Sequence, residues 1–155
     1  MAGLTSFGPV TGAPQAYGYH PRLQQYTHEH TRTWAATIAR GDAFVFVTPE
    51  YNHSFPGSLK NALDYLSLEW ADKAAGIVSY GGVSAGLRAA TALKPVLSAL
   101  RMVPVVEAAT IPFVQQFLTE DGEFVPNAEL AGGGKAMLDE LLRLTTALRT
   151  LRPAA

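Results

Sequence analysis

Residues 43–66, AFVFVTPEYNHSFPGSLKNALDYL, contain in succession the patterns of a buried strand, a polar loop and a helix. Residues 43–47 are a continuous run of apolar, β-branched and aromatic side chains, which predicts a strand buried on both faces. Pro56 then opens a stretch to residue 66 in which apolar residues recur at helical spacing. Because strands buried on both faces occur mainly in parallel sheets, this stretch indicates an α/β fold.

The same alternation continues on both sides of this stretch. Further strands are predicted at residues 74–79 and from residue 103, and further helices at residues 28–40, 87–100 and 137–148. We expect Pro95 to bend the second of these helices, an Asp-Gly turn at residues 119–123, and Gly132 to Gly134 to precede the stable part of the last helix. Strands alternating with helices predict one parallel sheet with helices on both faces.

Composition excludes several classes of protein. The chain has 155 residues, of which 48% are hydrophobic and 16% charged, so it can build one core and is not disordered. Its formal net charge is -1, which makes nucleic acid and anionic membrane unlikely partners. With no cysteine it has no thiolate zinc site and no cysteine nucleophile. A reducing, cytoplasmic location is expected, without a secretion signal or a membrane span.

Two loops follow strands and are the places to look for a ligand. Residues 48–56 begin T-P-E-Y-N-H-S, and residues 79–86 are S-Y-G-G-V-S-A-G. Ligands of open α/β sheets bind outside the carboxyl ends of the strands, where both loops are predicted to lie. Proline, asparagine and serine are also ordinary turn residues, and glycines also serve close packing of a strand and a helix. Composition alone leaves both interpretations open.

The sequence also contains a motif typical of hydrolases and a pair of histidines that could suggest a metal site. Residues 82–86 form a G-x-S-x-G motif around Ser84, but a nucleophile elbow of this kind needs a histidine later in the chain, and all four histidines precede Ser84. A hydrolase is therefore disfavoured. In His28-Glu29-His30, two histidines two residues apart on a helix are expected to point to opposite sides. No metal site is predicted.

Taken together, the motifs P-E-Y-N, P-G-S-L-K-N-A-L-D and S-Y-G-G resemble those of the NADPH-dependent FMN reductase family. The resemblance runs from about Tyr26 to Leu151 and implies a flavodoxin-like three-layer sandwich over residues 27–152, after an irregular segment at residues 1–26. It also implies bound FMN, NADPH or NADH as the donor, and a flavin, quinone or similar small molecule as the electron acceptor. A homodimer or homotetramer is implied as well, with the helix at residues 56–66 at the dimer axis.

The same resemblance implies a set of cofactor-binding residues. By position these are Pro49, Glu50, Tyr51 and Asn52 in the first loop, and Ser79, Tyr80, Gly81 and Gly82 in the second. No catalytic residue is assigned, because hydride transfer through a flavin needs no nucleophile or general base from the protein.

The N-terminal residues depart from the family pattern. Residues 1–22 contain no buried-strand run and no Gly-Ser-x-Arg phosphate loop, so we expect the sheet to lack its first strands and the strand at residues 43–47 to have an open edge. Assembly through the helices at residues 56–66 and 87–100 is then expected. The alternative function is a non-catalytic interaction protein that keeps the fold and has lost FMN binding.

Overall fold

Strands and helices alternate along residues 20–152, the part of the chain that the computed structural model describes. The strands are β1 (Ala43–Pro49), β2 (Ala74–Gly81) and β3 (Val103–Pro112). The α-helices are α1 (Glu29–Arg40), α2 (Gly57–Asp64), α3 (Leu87–Ala99) and α4 (Ala128–Leu148). Short 3-10 helices lie at Pro21–Leu23, Leu68–Trp70, Val114–Phe117 and Arg149–Leu151. The predicted alternation is confirmed, whereas the domain boundary between residues 26 and 27 stays a prediction, since residues 1–19 lie outside the described part.

The three strands form one parallel sheet in the order β1, β2, β3. Pro49 at the end of β1 pairs with Tyr80 of β2, which in turn pairs with Ile111 of β3. Since parallel strands run in the same direction, their carboxyl ends meet at one edge of the sheet. This edge carries both loops that the sequence singles out.

Two apolar clusters cover the two faces of the sheet. On one face, α1, α2 and α3 pack around Trp70, with Phe46 and Ile77 contributed by the strands. On the other face, Met137 and Leu141 of α4 pack on Ala74 and Val105, and the Met137 sulfur comes close to Gly76. Helices on both faces of a parallel sheet make this the three-layer α/β sandwich expected from the sequence.

The prediction that β1 is buried on both faces is wrong. Phe46 and Thr48 are buried under the first three helices, but Val45 and Val47, which alternate with them, are 40% and 60% exposed. The reason is that α4 packs on β2 and β3, so that no described helix covers β1 on that side. The outer edge of β1 pairs with no strand among residues 20–152. A continuous apolar run was therefore not sufficient evidence of burial on both faces.

The last helix also differs from its prediction. Gly132 to Gly134 lie inside α4, which begins at Ala128 rather than after the glycines. The side-chain oxygen of Asn127 accepts a hydrogen bond from the N–H of Leu130 at 2.9 Å, and this cap satisfies one of the free donors of the first turn. The cap and the packing of the later turns on the sheet outweigh the low helix propensity of the glycines.

The segment between β3 and α4 contains the predicted tight turn. Gly122 has a φ of 80°, and Leu118 and Phe124 form an antiparallel bridge on either side of the turn. β3 itself continues past the predicted run to Pro112, which brings Phe113 to the same edge of the sheet as the two loops. Between residue 20 and residue 152, no helix is long and apolar enough to cross a membrane.

Candidate functional site

The first loop leaves β1 through a tight turn. The N–H of Glu50 donates to the carbonyl of Tyr80 at 2.8 Å, which joins the loop to β2. Tyr51 and Ser54 then exchange backbone hydrogen bonds at 2.9 and 3.0 Å around Asn52 and His53, whose φ angles are 50° and 66°. Asparagine tolerates this left-handed backbone better than most residues, so Asn52 has a local structural role as well as its predicted one. Tyr51 and Asn52 are both exposed.

The second loop folds back on the strand that it leaves. Gly86 has a φ of 78°, and a Cβ atom there would lie 2.6 Å from the backbone nitrogen of Tyr80. The side chain of Ser79 is fully buried, and its hydroxyl donates to the carbonyl of Ala85 at 3.2 Å. Gly86 is therefore required for close packing, and Ser79 holds the loop from beneath.

Three consecutive peptide N–H groups of this loop are free. Within residues 20–152, the N–H groups of Gly82, Val83 and Ser84 have no hydrogen-bond partner, and Gly82 and Val83 are exposed. A Cβ atom on Gly82 would meet nothing within 4 Å. Free donors in series beside open space suit the carbonyl and nitrogen acceptors of a planar heterocycle.

Glu50 is turned away from this open space. Its side chain is only 6% exposed, and its carboxylate accepts from both the N–H of Arg88 at 3.0 Å and the guanidinium of Arg88 at 2.8 Å. Burial by itself would raise the pKa of Glu50, but the hydrogen bonds and the positive charge of Arg88 hold that pKa below its ordinary value. Glu50 is thus an ionised, fully engaged carboxylate that links the two loops.

The structure brings the eight predicted site residues to one edge of the sheet. Tyr51, Asn52 and Gly82 are exposed there, whereas Pro49, Tyr80 and Gly81 are half-buried. The side chains of Ser79 and Glu50 are occupied by protein contacts. Their assignment to a cofactor stays a prediction.

Arg88 and Phe113 belong to the same edge and were missed from the sequence. Phe113 is exposed, has a φ of 45°, and its N–H donates to the carbonyl of Gly81 at 2.8 Å. It could not be placed because β3 was followed only as far as residue 106. For Arg88, the signal was its place in the first turn of the helix that follows β2, beside a carboxylate that directly follows β1.

The hydrolase interpretation finds no supporting contact. No histidine hydrogen-bonds to the Ser84 hydroxyl in the part of the chain that the structure describes. Nor do residues 20–152 contain a cluster of histidine and carboxylate side chains placed to hold a metal ion. The expectation that His28 and His30 point to opposite sides is wrong, because His28 precedes α1 and the two rings stack at 5.4 Å.

The model of one protein family, described as NADPH-dependent FMN reductase, matches residues 8–116, which is more than half of the chain. The chain belongs to this family. The resemblance inferred from the motifs is thereby confirmed, and the matched range begins before Tyr26, where the motif resemblance begins.

Similar proteins include a fungal and a plant relative of this family member. A protein named NAD(P)H-dependent FMN reductase from Schizosaccharomyces pombe is 51% identical over 92 residues, which are 58% of this chain and 46% of that protein. A probable NADPH:quinone oxidoreductase from Oryza sativa subsp. japonica is 52% identical over 56 residues, which are 34% of this chain and 28% of that one. The matched segments thus span about half or less of these relatives.

A solved structure shows the fold. The flavoenzyme NAD(P)H:(acceptor) oxidoreductase FerB from Paracoccus denitrificans superposes with a TM-score of 0.59 at 23% identity, covering 85% of this chain and 74% of that one. The predicted flavodoxin-like α/β class is therefore confirmed for the FMN reductase family member described here.

Proposed function

We propose that this chain is an FMN-dependent NAD(P)H oxidoreductase that reduces flavins, quinones or similar small acceptors. The observation that carries the proposal is the series of free N–H groups at residues 82–84, at the sheet edge that also presents Tyr51. The names of the fungal and rice relatives, an FMN reductase and a quinone oxidoreductase, support the cofactor and the acceptor class. NADPH or NADH is the electron donor.

The chemical groups at this edge of the sheet are suited to binding a flavin ring. FMN, when bound, supplies hydride transfer from the nicotinamide to the acceptor. The role of the chain is to bind and orient the cofactor. Peptide N–H groups of the second loop donate to the polar edge of the flavin ring, and Tyr51 offers an aromatic surface. No side chain is asked to act as a nucleophile or general base. The predicted phosphate-loop difference falls in residues 1–22, of which 1–19 lie outside the described residues.

A titration tests FMN binding directly. Purified protein is added to FMN while flavin fluorescence and the visible spectrum are recorded, and oxidation of NADPH and of NADH is then followed with FMN and a panel of quinones. We expect quenching, shifted flavin bands and acceptor-dependent oxidation of the donor. If both flavin signals stay unchanged at protein concentrations in the millimolar range, the proposal is overturned.

Asn52 offers a matched pair of variants for the first loop. Its φ of 50° strains alanine but not glycine, so Asn52→Ala removes the side chain and disturbs the turn, whereas Asn52→Gly only removes the side chain. If the side chain contacts the flavin, both variants weaken FMN binding. Weakening in the alanine variant alone would assign Asn52 to the turn and remove it from the binding residues.

A non-catalytic interaction protein is the second candidate. The observation that favours it is the open edge of β1 with exposed Val45 and Val47, a surface suited to pairing with another chain. The flavin spectrum distinguishes the two candidate functions, because only the oxidoreductase binds FMN. Self-association without any flavin signal favours the interaction protein.

The proposed assembly is a homodimer or homotetramer through α2 and α3. The exposed apolar side chains of Val83, in the loop before α3, and of Leu87, the first residue of α3, support this surface. Light scattering of the wild type and of Leu87→Lys measures the assembly, and we expect the charged variant to dissociate.

We also propose a cytoplasmic location. The absence of cysteine from the sequence favours it, and cell fractionation tests it.

A further inference from the structure

The carboxylate of Glu50 is held entirely by the segment that follows β2. Its donors are the Arg88 N–H at 3.0 Å and the Arg88 guanidinium at 2.8 Å, both in the first turn of α3. Its own backbone belongs to the end of β1. One buried side chain thus connects the exits of two neighbouring strands.

This connection completes the support of the second loop. From beneath, the loop rests on β2 where Gly86 approaches Tyr80 and where Ser79 bonds to Ala85. From the side of β1, Glu50 holds Arg88 through two hydrogen bonds. Residues 82–84, with their free N–H groups, connect the end of β2 at Gly81 to these contacts, so the direction of the N–H groups depends on both supports.

Glu50 also completes the beginning of α3. The residue before the helix is Gly86, which has no side chain to cap the first-turn N–H groups. The Glu50 carboxylate accepts the N–H of Arg88 in their place, and a negative charge is favourable at this end of a helix. The cap comes from a distant part of the sequence.

We propose that Glu50 is a positioning residue: through Arg88 it holds the N–H groups of residues 82–84 in the direction in which they bind the cofactor, and it does not contact the cofactor itself. This inference rests on the proposed function for the identity of the cofactor. The placement of the loop by Glu50 can be measured without any ligand.

Three variants separate the parts of the contact. Glu50→Gln keeps the size of the side chain but replaces one acceptor oxygen with a donor, so that one of the two Arg88 donors loses its partner. Arg88→Ala removes the guanidinium and keeps the N–H that Glu50 accepts. Glu140→Gln is the matched control, because Glu140 pairs with Arg143 on the distant helix α4.

Hydrogen exchange of the ligand-free protein is the first measurement. We expect amides of residues 82–88 to exchange about tenfold faster in Glu50→Gln, less than that in Arg88→Ala, and at the wild-type rate in Glu140→Gln, with β2 and β3 unchanged. If Glu50→Gln fails to fold, Arg88→Ala decides the question through the same amides. Unchanged exchange at residues 82–88 in the folded variants overturns the inference.

FMN titration of the same proteins is the second measurement. We expect Glu50→Gln to bind FMN about tenfold more weakly, and the bound-flavin absorption bands to shift, because the donors to the ring have moved. A general loss of stability would lower the folded fraction without shifting those bands. Wild-type protein that binds no FMN overturns the proposed function, while the exchange result still decides the role of Glu50 in placing the loop.

Discussion

Gly86 approaches Ser79 so closely that a Cβ atom on Gly86 would lie 2.7 Å from the Cβ atom of Ser79. The loop between β2 and α3 can therefore fold back on its strand only with glycine at this position. The free N–H groups at residues 82–84 owe their location to this contact as much as to Glu50.

Replacing Gly86 with alanine should destabilise the protein by about 2–5 kcal/mol, because it combines a positive φ with an overlap against backbone atoms. Gly82→Ala is the control, since a Cβ atom there meets nothing within 4 Å, and it should stay within about 0.5 kcal/mol of the wild type. Urea unfolding measures both free energies. Equal stability of the two variants would contradict the observed packing of the loop.

The stability that Glu50 contributes should depend on pH in a defined direction. Its pKa is lower in the folded protein than its ordinary value of 4.5, so its contribution is present above pH 4.5 and is lost as the pH falls through the folded-state pKa. The wild type should therefore exceed Glu50→Gln in free energy of unfolding at neutral pH, and the difference should shrink in acid. Urea unfolding at several pH values measures it, and a difference that grows in acid would contradict the ionised contact with Arg88.

The start of α4 can be tested at two positions. Asn127→Ala should lower the free energy of unfolding by about 1 kcal/mol, because the side chain caps the N–H of Leu130. Gly132→Ala should raise it by about 1 kcal/mol, because Gly132 lies inside the helix and a Cβ atom there meets no other atom. If both variants unfold like the wild type, the helix begins after the glycines, as the sequence pattern predicted.

Ser84 should have no role in ester hydrolysis. None of the described histidines hydrogen-bonds to its hydroxyl, so no general base is in place to activate it. We expect both the wild type and Ser84→Ala to hydrolyse p-nitrophenyl acetate no faster than buffer does. Hydrolysis by the wild type that the alanine variant loses would restore the nucleophile interpretation of the G-x-S-x-G motif.

In addition to the assembly proposed through α2 and α3, the exposed face of β1 should promote association between chains. Val47→Lys places a charge on that face, where the valine is already exposed, so the variant should fold normally and self-associate less than the wild type. Val106→Lys adds the same charge at an exposed valine of β3 and serves as the control. Light scattering measures both, and equal association of the two variants, or a monomeric wild type, would rule out the open face of β1 as the cause.

Local sequence patterns were sufficient to predict the strands, the helices and the two loops at the sheet edge. The apolar run at residues 43–47 and the periodicity after Pro56 predict a strand and a helix because side-chain spacing is a property of each element alone. The rule that parallel strands end at a common edge then predicts that the loop after β1 meets the loop after β2. The contact between Glu50 and the carbonyl of Tyr80 bears out that meeting.

Only the tertiary structure decided what each of these residues faces. The exposure of Val47, the pairing of Glu50 with Arg88 and the enclosure of Gly86 against Ser79 all depend on where distant segments pack. The same valine would be buried under a covering helix, and the same glutamate would point to solvent without Arg88. Whether a side chain is buried, and where it points, depends on neighbours that are remote in sequence. The periodicity of one segment therefore does not predict either property.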